Sequence, residues 1–345
     1  MEIFGISGKE GGIFLQIRTL VCSTGLVTAA VLLAVLSLYT GAKDIQLMTI
    51  VDSFIHFDSS NTAELIIRTL RWPRLLAAVI CGVSFAVSGA LMQGITHNPM
   101  ASPSILGINA GASFGLAVAM ILLPAASLNL TILFAFAGAA VATGIILLLA
   151  GRLSGRATPV YLALAGTAVS AVFTAVTQMM VVFFDVAQDL SYWTAGGISG
   201  VRMEQIYYIM PWTAAGCIVA VCIARSITLL NFGEEVAIGL GARLQYIRVL
   251  AGLIVLVLSG SAVALAGPIG FVGLVVPHIV RKLVGYEYRR IIPVSALTGM
   301  ILVVCADMVT RVINPPYETP LGAVTALIGV PFFIYLANRT GGGRE

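Results

Sequence analysis

The sequence contains few charged residues. Asp, Glu, Lys and Arg together make up 10% of its 345 residues, whereas hydrophobic residues make up 59%. A soluble domain carries about 25% charged residues, and a disordered chain has low hydrophobicity. The composition therefore excludes both classes and favours a chain that lies in a lipid bilayer. The net charge of +4 comes from scattered residues, which argues against nucleic acid as a partner.

Residue types that commonly carry enzyme chemistry are also scarce. The five Cys lie in apolar stretches without a CxxC pair, which indicates small buried hydrophobic residues rather than a disulfide framework. Only three Lys and three His occur. There is no Gly-rich phosphate-binding loop ending in Lys-Ser or Lys-Thr, and the His residues lack metal-ligand spacing. The sequence thus predicts no enzyme, no resident metal and no cofactor.

Long apolar runs are what the sequence has in abundance. A membrane-spanning helix needs about 20 mainly apolar residues, and backbone amides inside a bilayer must be paired within the chain. We therefore predict an all-α integral membrane protein with about ten transmembrane helices. The first run is about twice as long as the 7–15-residue apolar region of a signal peptide, so we interpret it as a retained span. The predicted spans are 19–42, 75–94, 103–123, 128–150, 160–184, 206–224, 249–266, 269–284, 291–308 and 321–337.

The distribution of basic residues predicts the topology. With the N-terminus in the cytoplasm, ten spans put thirteen of the nineteen Lys and Arg on the cytoplasmic side. The positive-inside rule then predicts that both termini are cytoplasmic. Asp307 is the only carboxylate inside the predicted spans. Because ion-coupled transporters usually carry several intramembrane ionisable groups, the sequence argues against ion coupling and for an energy source on another polypeptide.

Several short sequences occur in a particular order along the chain. They begin with Arg-Trp-Pro-Arg at 71–74 and Asn-Pro-Met-Ala-Ser-Pro at 98–103. They continue with Gly-Pro-Ile-Gly-Phe-Val-Gly-Leu-Val-Val-Pro-His at 267–278 and Ala-Asp-Met-Val-Thr-Arg at 306–311. In this order and spacing the chain resembles the FecCD family, the permeases of bacterial ABC importers for iron–siderophore complexes, haem and cobalamin.

The resemblance implies a domain organisation and a set of partners. The topology makes residues 1–18 a cytoplasmic N-terminal segment, whereas the resemblance makes 19–338 a single transmembrane permease domain in the bacterial cytoplasmic membrane. The expected partners are two ABC ATPase subunits, a second permease copy or paralogue, an extracytoplasmic substrate-binding protein and membrane lipid. The implied cargo is an iron–siderophore complex, with haem or cobalamin as alternatives. An ion-coupled secondary transporter and a structural subunit without cargo are the competing classes.

The resemblance also implies three groups of site residues. Residues 225–248 form the longest predicted cytoplasmic connection, where Gly residues permit a tight turn between two short helices; by resemblance this is the loop that couples to the ATPase. On the outside, arginines at the family's positions would form ion pairs with the binding protein. The turn between the fourth and fifth spans would hold a cytoplasmic gate. The implied residues are Glu234, Glu235 and Gly239 for coupling, Arg71, Arg74 and Arg311 for docking, and Thr158 as the gate candidate.

Overall fold

The computed structural model describes residues 8–40, 45–154, 159–314 and 317–341, and over these ranges the chain forms α-helices and no β-strand. The prediction of an all-α protein is confirmed. A π-helical segment (Ile67–Arg71) leads into α4, and a short 3₁₀ helix (Pro103–Leu106) precedes α5. The α-helices are α1 (Gly8–Tyr39), α2 (Leu47–Ile55), α3 (Thr62–Ile66), α4 (Trp72–Thr96), α5 (Ile108–Leu122), α6 (Leu128–Ser154), α7 (Pro159–Phe184), α8 (Ala187–Thr194), α9 (Met203–Leu230), α10 (Glu234–Gly239), α11 (Leu244–Ala266), α12 (Val272–Val284), α13 (Tyr288–Ile313) and α14 (Leu321–Gly341).

Seven segments of the described chain are long and apolar enough to cross a membrane: Ile17–Tyr39, Thr62–Thr96, Leu128–Ala150, Val160–Phe184, Met203–Leu230, Leu244–Ala266 and Tyr288–Ile313. The three other predicted spans coincide with α5, α12 and α14. Of these, Ile108–Leu122 and Leu321–Ile334 are shorter apolar helices, and α12 has 13 residues. The count of ten stays a prediction.

Helix α4 lies at the centre of the bundle and is buried along almost its whole length. It packs against α9, α11, α12 and α13. Two glycines allow the closest approaches, because a Cβ atom at Gly82 would collide with the backbone of Gly299, and one at Gly89 with the backbone of Gly273. Small residues let helix backbones approach closely where lipid supplies no hydrophobic driving force. They hold α12 and α13 directly against α4.

Two opposite ends of the bundle carry most of the predicted site residues. Helix α4 has 25 residues, which at 1.5 Å per residue is about 37 Å. Arg74 lies in its first turn, and we call this side of the bundle the Arg74 end. His97, just after the last turn, has its Nε2 atom 2.7 Å from the carbonyl oxygen of Leu230 at the end of α9. Since α10 follows α9, we call this side the α10 end.

Candidate functional site

Arg74 lies in a buried polar network at its end of the bundle. Its Nε donates to Asp307 Oδ1 at 2.8 Å, and its Nη1 donates to Glu318 Oε1 at 2.5 Å. The side chain of Asp307 is 2% exposed, and its Oδ2 accepts a hydrogen bond from Arg311 Nη2. Pro73 lies where the π-helical segment passes into α4. The network ties α4 to α13.

Arg71 and Arg311 bind the C-terminal end of α1. Arg71 Nη1 donates to the carbonyl oxygens of Leu38 and Tyr39 at 2.6 and 2.8 Å. Arg311 Nη1 donates to the carbonyl oxygen of Ser37 at 3.0 Å. The carbonyl oxygens in the last turn of a helix receive no hydrogen bond from amides of the same helix, and they carry partial negative charge. Two guanidinium groups therefore stabilise the end of α1 and hold it against α13 and the start of α4.

The three arginines expected to dock a binding protein are thus not free at the surface. Arg71 and Arg74 are buried, and the Arg311 side chain is 9% exposed. Their role in docking a binding protein stays a prediction. Asp307 stands out in the sequence as a carboxylate within a predicted span, but its partners were not predicted. Its spacing of four residues before Arg311 was the signal that could have indicated the ion pair.

Other arginines at the Arg74 end are exposed. Arg68 and Arg202 both line a groove of about 590 Å³, which is also lined by Ser199 and Glu204. The Arg68 guanidinium lies 4.4 Å from the centroid of the Phe57 ring, an arrangement that stabilises a cation over an aromatic face. These side chains present positive charge to solvent at the end where docking was expected.

The predicted coupling segment forms a short helix at the α10 end. Glu234 begins α10 and Gly239 ends it, while Glu235 and Gly239 are exposed. Gly233 and Gly241 on either side have φ angles of 110° and 81°, a backbone region that favours glycine. Gly241 thus permits a turn after α10, but the structure has one short helix here, between the long helices α9 and α11, rather than the two short helices that were expected.

An apolar surface on this segment was not predicted. Phe232, Val236 and Leu240 follow one another at intervals of four residues, and all three are exposed. Ile238 and Tyr246 are exposed beside them in the sequence. Neighbouring exposed apolar side chains mark a surface of contact with another protein or with a membrane. We call Phe232, Val236 and Leu240 the α10 apolar surface.

A second polar contact connects α4 with α12 towards the α10 end. Gln93 Nε2 donates to the carbonyl oxygens of Gly273 and Leu274, each at 3.2 Å. Arg281 Nη2 donates to Gln93 Oε1 at 2.5 Å. Gln93 is buried and uses both ends of its amide in these contacts. Sequence analysis missed this pair, because nothing in the local pattern relates two residues 188 positions apart.

The remaining predicted features concern the gate, the conduit and metals. Thr158 lies outside the described residues. Helix α7, which follows the gate segment, exposes Thr167, Thr174 and Gln178 along with many apolar side chains. In the ranges that the structure describes, no three His, Cys, Asp or Glu side chains lie together in a way that could hold a metal ion.

Comparison with known proteins places this chain among import permeases. The profile of the FecCD transport family matches residues 29–339. The chain is 45% identical to the iron(3+)-hydroxamate import system permease protein FhuB of Bacillus subtilis, covering 89% of this chain and 80% of the relative. It is 46% identical to the Fe(3+)-citrate import system permease protein YfmD of the same organism, covering 88% and 90%. A solved inward-facing metal-chelate type ABC transporter superposes with a TM-score of 0.81 at 26% identity, covering 92% of this chain and 98% of that one. The chain therefore belongs to the FecCD transport family.

Proposed function

We propose that this chain is the permease subunit of an ATP-driven ABC importer and passes an iron–siderophore complex across the bacterial cytoplasmic membrane. Family membership over residues 29–339 is the observation that carries the proposal. The two Bacillus subtilis relatives are import permeases for iron(3+)-hydroxamate and Fe(3+)-citrate. Haem and cobalamin are alternative cargoes within the family.

In this proposal the chain crosses the membrane ten times with both termini in the cytoplasm. The α10 end then faces the cytoplasm and the Arg74 end faces outwards. Exposed basic side chains at or near the α10 end support this orientation through the positive-inside rule. They are Arg225, Arg243, Lys282 and Arg289.

Two separate ATPase subunits supply the energy and bind at α10. The chain has no phosphate-binding loop of its own, and the α10 apolar surface offers a place where an ATPase can bury hydrophobic side chains. Glu235 and the ends of α10 at Glu234 and Gly239 lie in the same exposed segment. Movement of an ATPase would reach the bundle through this helix.

A second permease copy or paralogue completes the conduit. Helix α7 exposes Thr174 and Gln178 among apolar residues, and polar amides are costly in contact with hydrocarbon. A neighbouring subunit and the water of a translocation path would cover this face. Thr158, which precedes α7, remains the candidate for the cytoplasmic gate in this proposal.

An extracytoplasmic binding protein delivers the cargo at the Arg74 end. Arg68 and Arg202 offer charge to an acidic surface directly, because their side chains are exposed. Arg71, Arg74 and Arg311 contribute through the buried contacts that fix α1, α4 and α13 beneath this surface. Charges of this kind chiefly steer and orient a partner.

Reconstitution tests the function. We expect proteoliposomes that contain this permease, its ATPase and its binding protein to accumulate radioactive iron from a ferric siderophore only when ATP is present on the ATPase side. Omission of any one of the three proteins should abolish uptake. Uptake by the permease alone, driven by an ion gradient, would instead show a secondary transporter. Uptake of cobalamin or haem in place of the ferric complex would reassign the cargo.

A further inference from the structure

A cavity with several polar groups in a partly apolar wall lies among helices α4, α5, α11 and α12. Its volume is about 250 Å³, and its lining includes Ser102, Ser104, Asn109, Ser259 and Gly273. Phe85, which also lines it, is the fourteenth of the 25 residues of α4. The cavity therefore lies near the middle of the longest buried helix, at a depth where the chain would be surrounded by membrane.

Two helices begin at this cavity. Helix α5 starts at Ile108 after Gly107, whose φ of 68° interrupts the chain between the 3₁₀ helix and α5. Helix α12 starts at Val272 after Phe271, whose φ is 66°. The cavity is lined by Asn109 in the first turn of α5 and by Gly273 in the first turn of α12. Each helix N-terminus carries the equivalent of about half a positive charge.

Hydrogen-bond donors at these helix starts are unused. The backbone amides of Asn109 and Gly273 have no backbone acceptor among the described residues. Ser102 Oγ donates to Ser104 Oγ at 3.1 Å, which leaves the hydroxyl proton of Ser104 free to donate elsewhere. Among the described residues that line the cavity there is no Asp, Glu, Lys or Arg. The helix N-termini therefore supply the positive partial charge of its wall.

A buried hydroxyl provides an independent indication of a ligand. Ser259 is 1% exposed, and its Oγ has no hydrogen-bond partner in the described structure although it lines the cavity. A serine inside a helix can satisfy its hydroxyl with the carbonyl four residues earlier, as Thr96 does with Met92. Ser259 does not do so. Since a buried polar group without a partner is costly, its hydroxyl is suited to a group that enters the cavity.

The cavity is open on one side. Ser104 and Gly270 in its wall are exposed, so the interior can be reached from outside the isolated chain. An opening towards lipid would leave helix-end amides and two hydroxyls against hydrocarbon, which is costly for each unsatisfied group. An opening towards a water-filled path avoids that cost. The opening thus fits the wall of a conduit.

We propose that this cavity binds a carboxylate-type oxyanion of the passing cargo, held by the N-termini of α5 and α12 and by the hydroxyls of Ser104 and Ser259. The proposal deepens the proposed function, because it gives the conduit a transient site with preference for anionic, oxygen-rich chelates. Helix N-termini at membrane depth that face a cavity are suited to anionic groups.

Charge-selective labelling tests the site without requiring transport. The Ser259→Cys substitution is made in a full-length chain whose five native cysteines are replaced, and the chain is kept in isolated membrane vesicles. Sulfonate-bearing and trimethylammonium-bearing methanethiosulfonate reagents are compared, and Thr174→Cys on the exposed face of α7 is the control. We expect the ratio of anionic to cationic labelling at position 259 to be at least fivefold higher than at position 174. Citrate should slow labelling at 259 only. Equal ratios, or no labelling at 259, would overturn the proposal.

Uptake provides the second measurement. In the reconstituted importer we compare how far Ser259→Ala reduces iron uptake from ferric citrate and from an uncharged hydroxamate complex. The fold-reduction should be at least three times larger for ferric citrate. Ser295→Ala is the matched control. Ser295 is also a buried serine whose hydroxyl has no hydrogen-bond partner in the described structure, but it does not line the cavity. This substitution should leave the uptake of both iron complexes unchanged. An equal loss for both chelates argues against an oxyanion site. Absence of iron uptake by the unsubstituted importer would contradict the proposed function. The labelling experiment would still test whether the cavity binds an anion, because it does not depend on transport.

Discussion

Arg74 Nε lies 2.8 Å from Asp307 Oδ1, which joins two residues that are 233 positions apart in the sequence. The same carboxylate accepts a hydrogen bond from Arg311 through its other oxygen, so one buried negative charge faces two guanidinium groups. Glu318 balances the second positive charge from a half-exposed position. Removal of the Asp307 carboxylate would leave two buried guanidinium groups with only the half-exposed Glu318 to compensate them.

We therefore expect Asp307→Asn to destabilise the protein strongly. Removing one partner from a buried ion pair costs about 3–5 kcal/mol, because the remaining charge stays buried without compensation. Glu318→Gln is the control, since the Glu318 side chain is 45% exposed and its substitution leaves Asp307 in place to pair with both arginines, so the loss of stability should be smaller. Thermal unfolding of the purified proteins in detergent measures both. Equal melting temperatures for the two variants would contradict a structural role for Asp307.

Much of the fold could be predicted because the signal is local. An apolar run of about 20 residues specifies a membrane helix through its own composition, and predicted spans such as 128–150 and 160–184 agree with α6 and α7. The prediction fails where the backbone changes direction inside an apolar run. Span 103–123 was expected to be one helix, but Gly107 adopts a left-handed conformation and divides it into a 3₁₀ helix and α5.

The environment of the arginines could not be predicted for a different reason. Sequence pattern assigned Arg71 and Arg74 to one side of the membrane, but exposure depends on what packs against them. Their partners come from the end of α1 and from α13, and no local pattern specifies those contacts. The α10 apolar surface escaped prediction in the same way, since apolar residues such as Val236 do not reveal from sequence alone whether they face solvent.

The α10 apolar surface should control attachment of the ATPase. We expect Val236→Asp combined with Leu240→Asp to weaken ATPase binding more than tenfold. Full burial of each apolar side chain contributes about 1.5–3 kcal/mol, and about 1.4 kcal/mol corresponds to a factor of ten in affinity. Both side chains are exposed, so the melting temperature of the permease alone should not change.

Co-purification of the ATPase with a tagged permease in detergent measures this effect. Val312→Asp is the control, because Val312 is also an exposed apolar residue but lies near the Arg74 end. Normal retention of the ATPase by the double variant would show that α10 is not its binding surface. A loss of retention in the Val312 variant as well would point to general destabilisation.

Exposed arginines at the Arg74 end should speed the approach of the binding protein. We expect Arg68→Glu combined with Arg202→Glu to lower the association rate constant about tenfold at low salt, because surface charge mainly affects encounter rates. The difference should shrink at high salt, where the charges are screened. Surface plasmon resonance on permease in nanodiscs measures these rates.

The control for docking reverses the same number of charges at the other end of the bundle. Arg225→Glu combined with Arg243→Glu changes two exposed arginines there and should leave association unchanged. Arg71→Glu combined with Arg74→Glu should instead lower the yield of folded protein, because these side chains are buried. If that variant folds normally and loses binding while the Arg68 and Arg202 variant binds normally, docking depends on Arg71 and Arg74 themselves.

The contact between Gly89 and Gly273 should tolerate no added methyl group. A Cβ atom at Gly89 would meet the backbone of Gly273, which cannot rotate away as a side chain could. We expect Gly89→Ala to destabilise the protein by about 1–3 kcal/mol, the usual cost of overpacking. Gly144→Ala is the matched control in α6, where nothing lies within 4 Å of the added atom. It should stabilise the helix by about 0.5–1 kcal/mol, since alanine loses less conformational entropy than glycine.

The two melting temperatures should move in opposite directions. A Gly89→Ala protein as stable as the unsubstituted chain would mean that α12 can move away from α4 at little cost, and the close approach would then not be what fixes the start of α12.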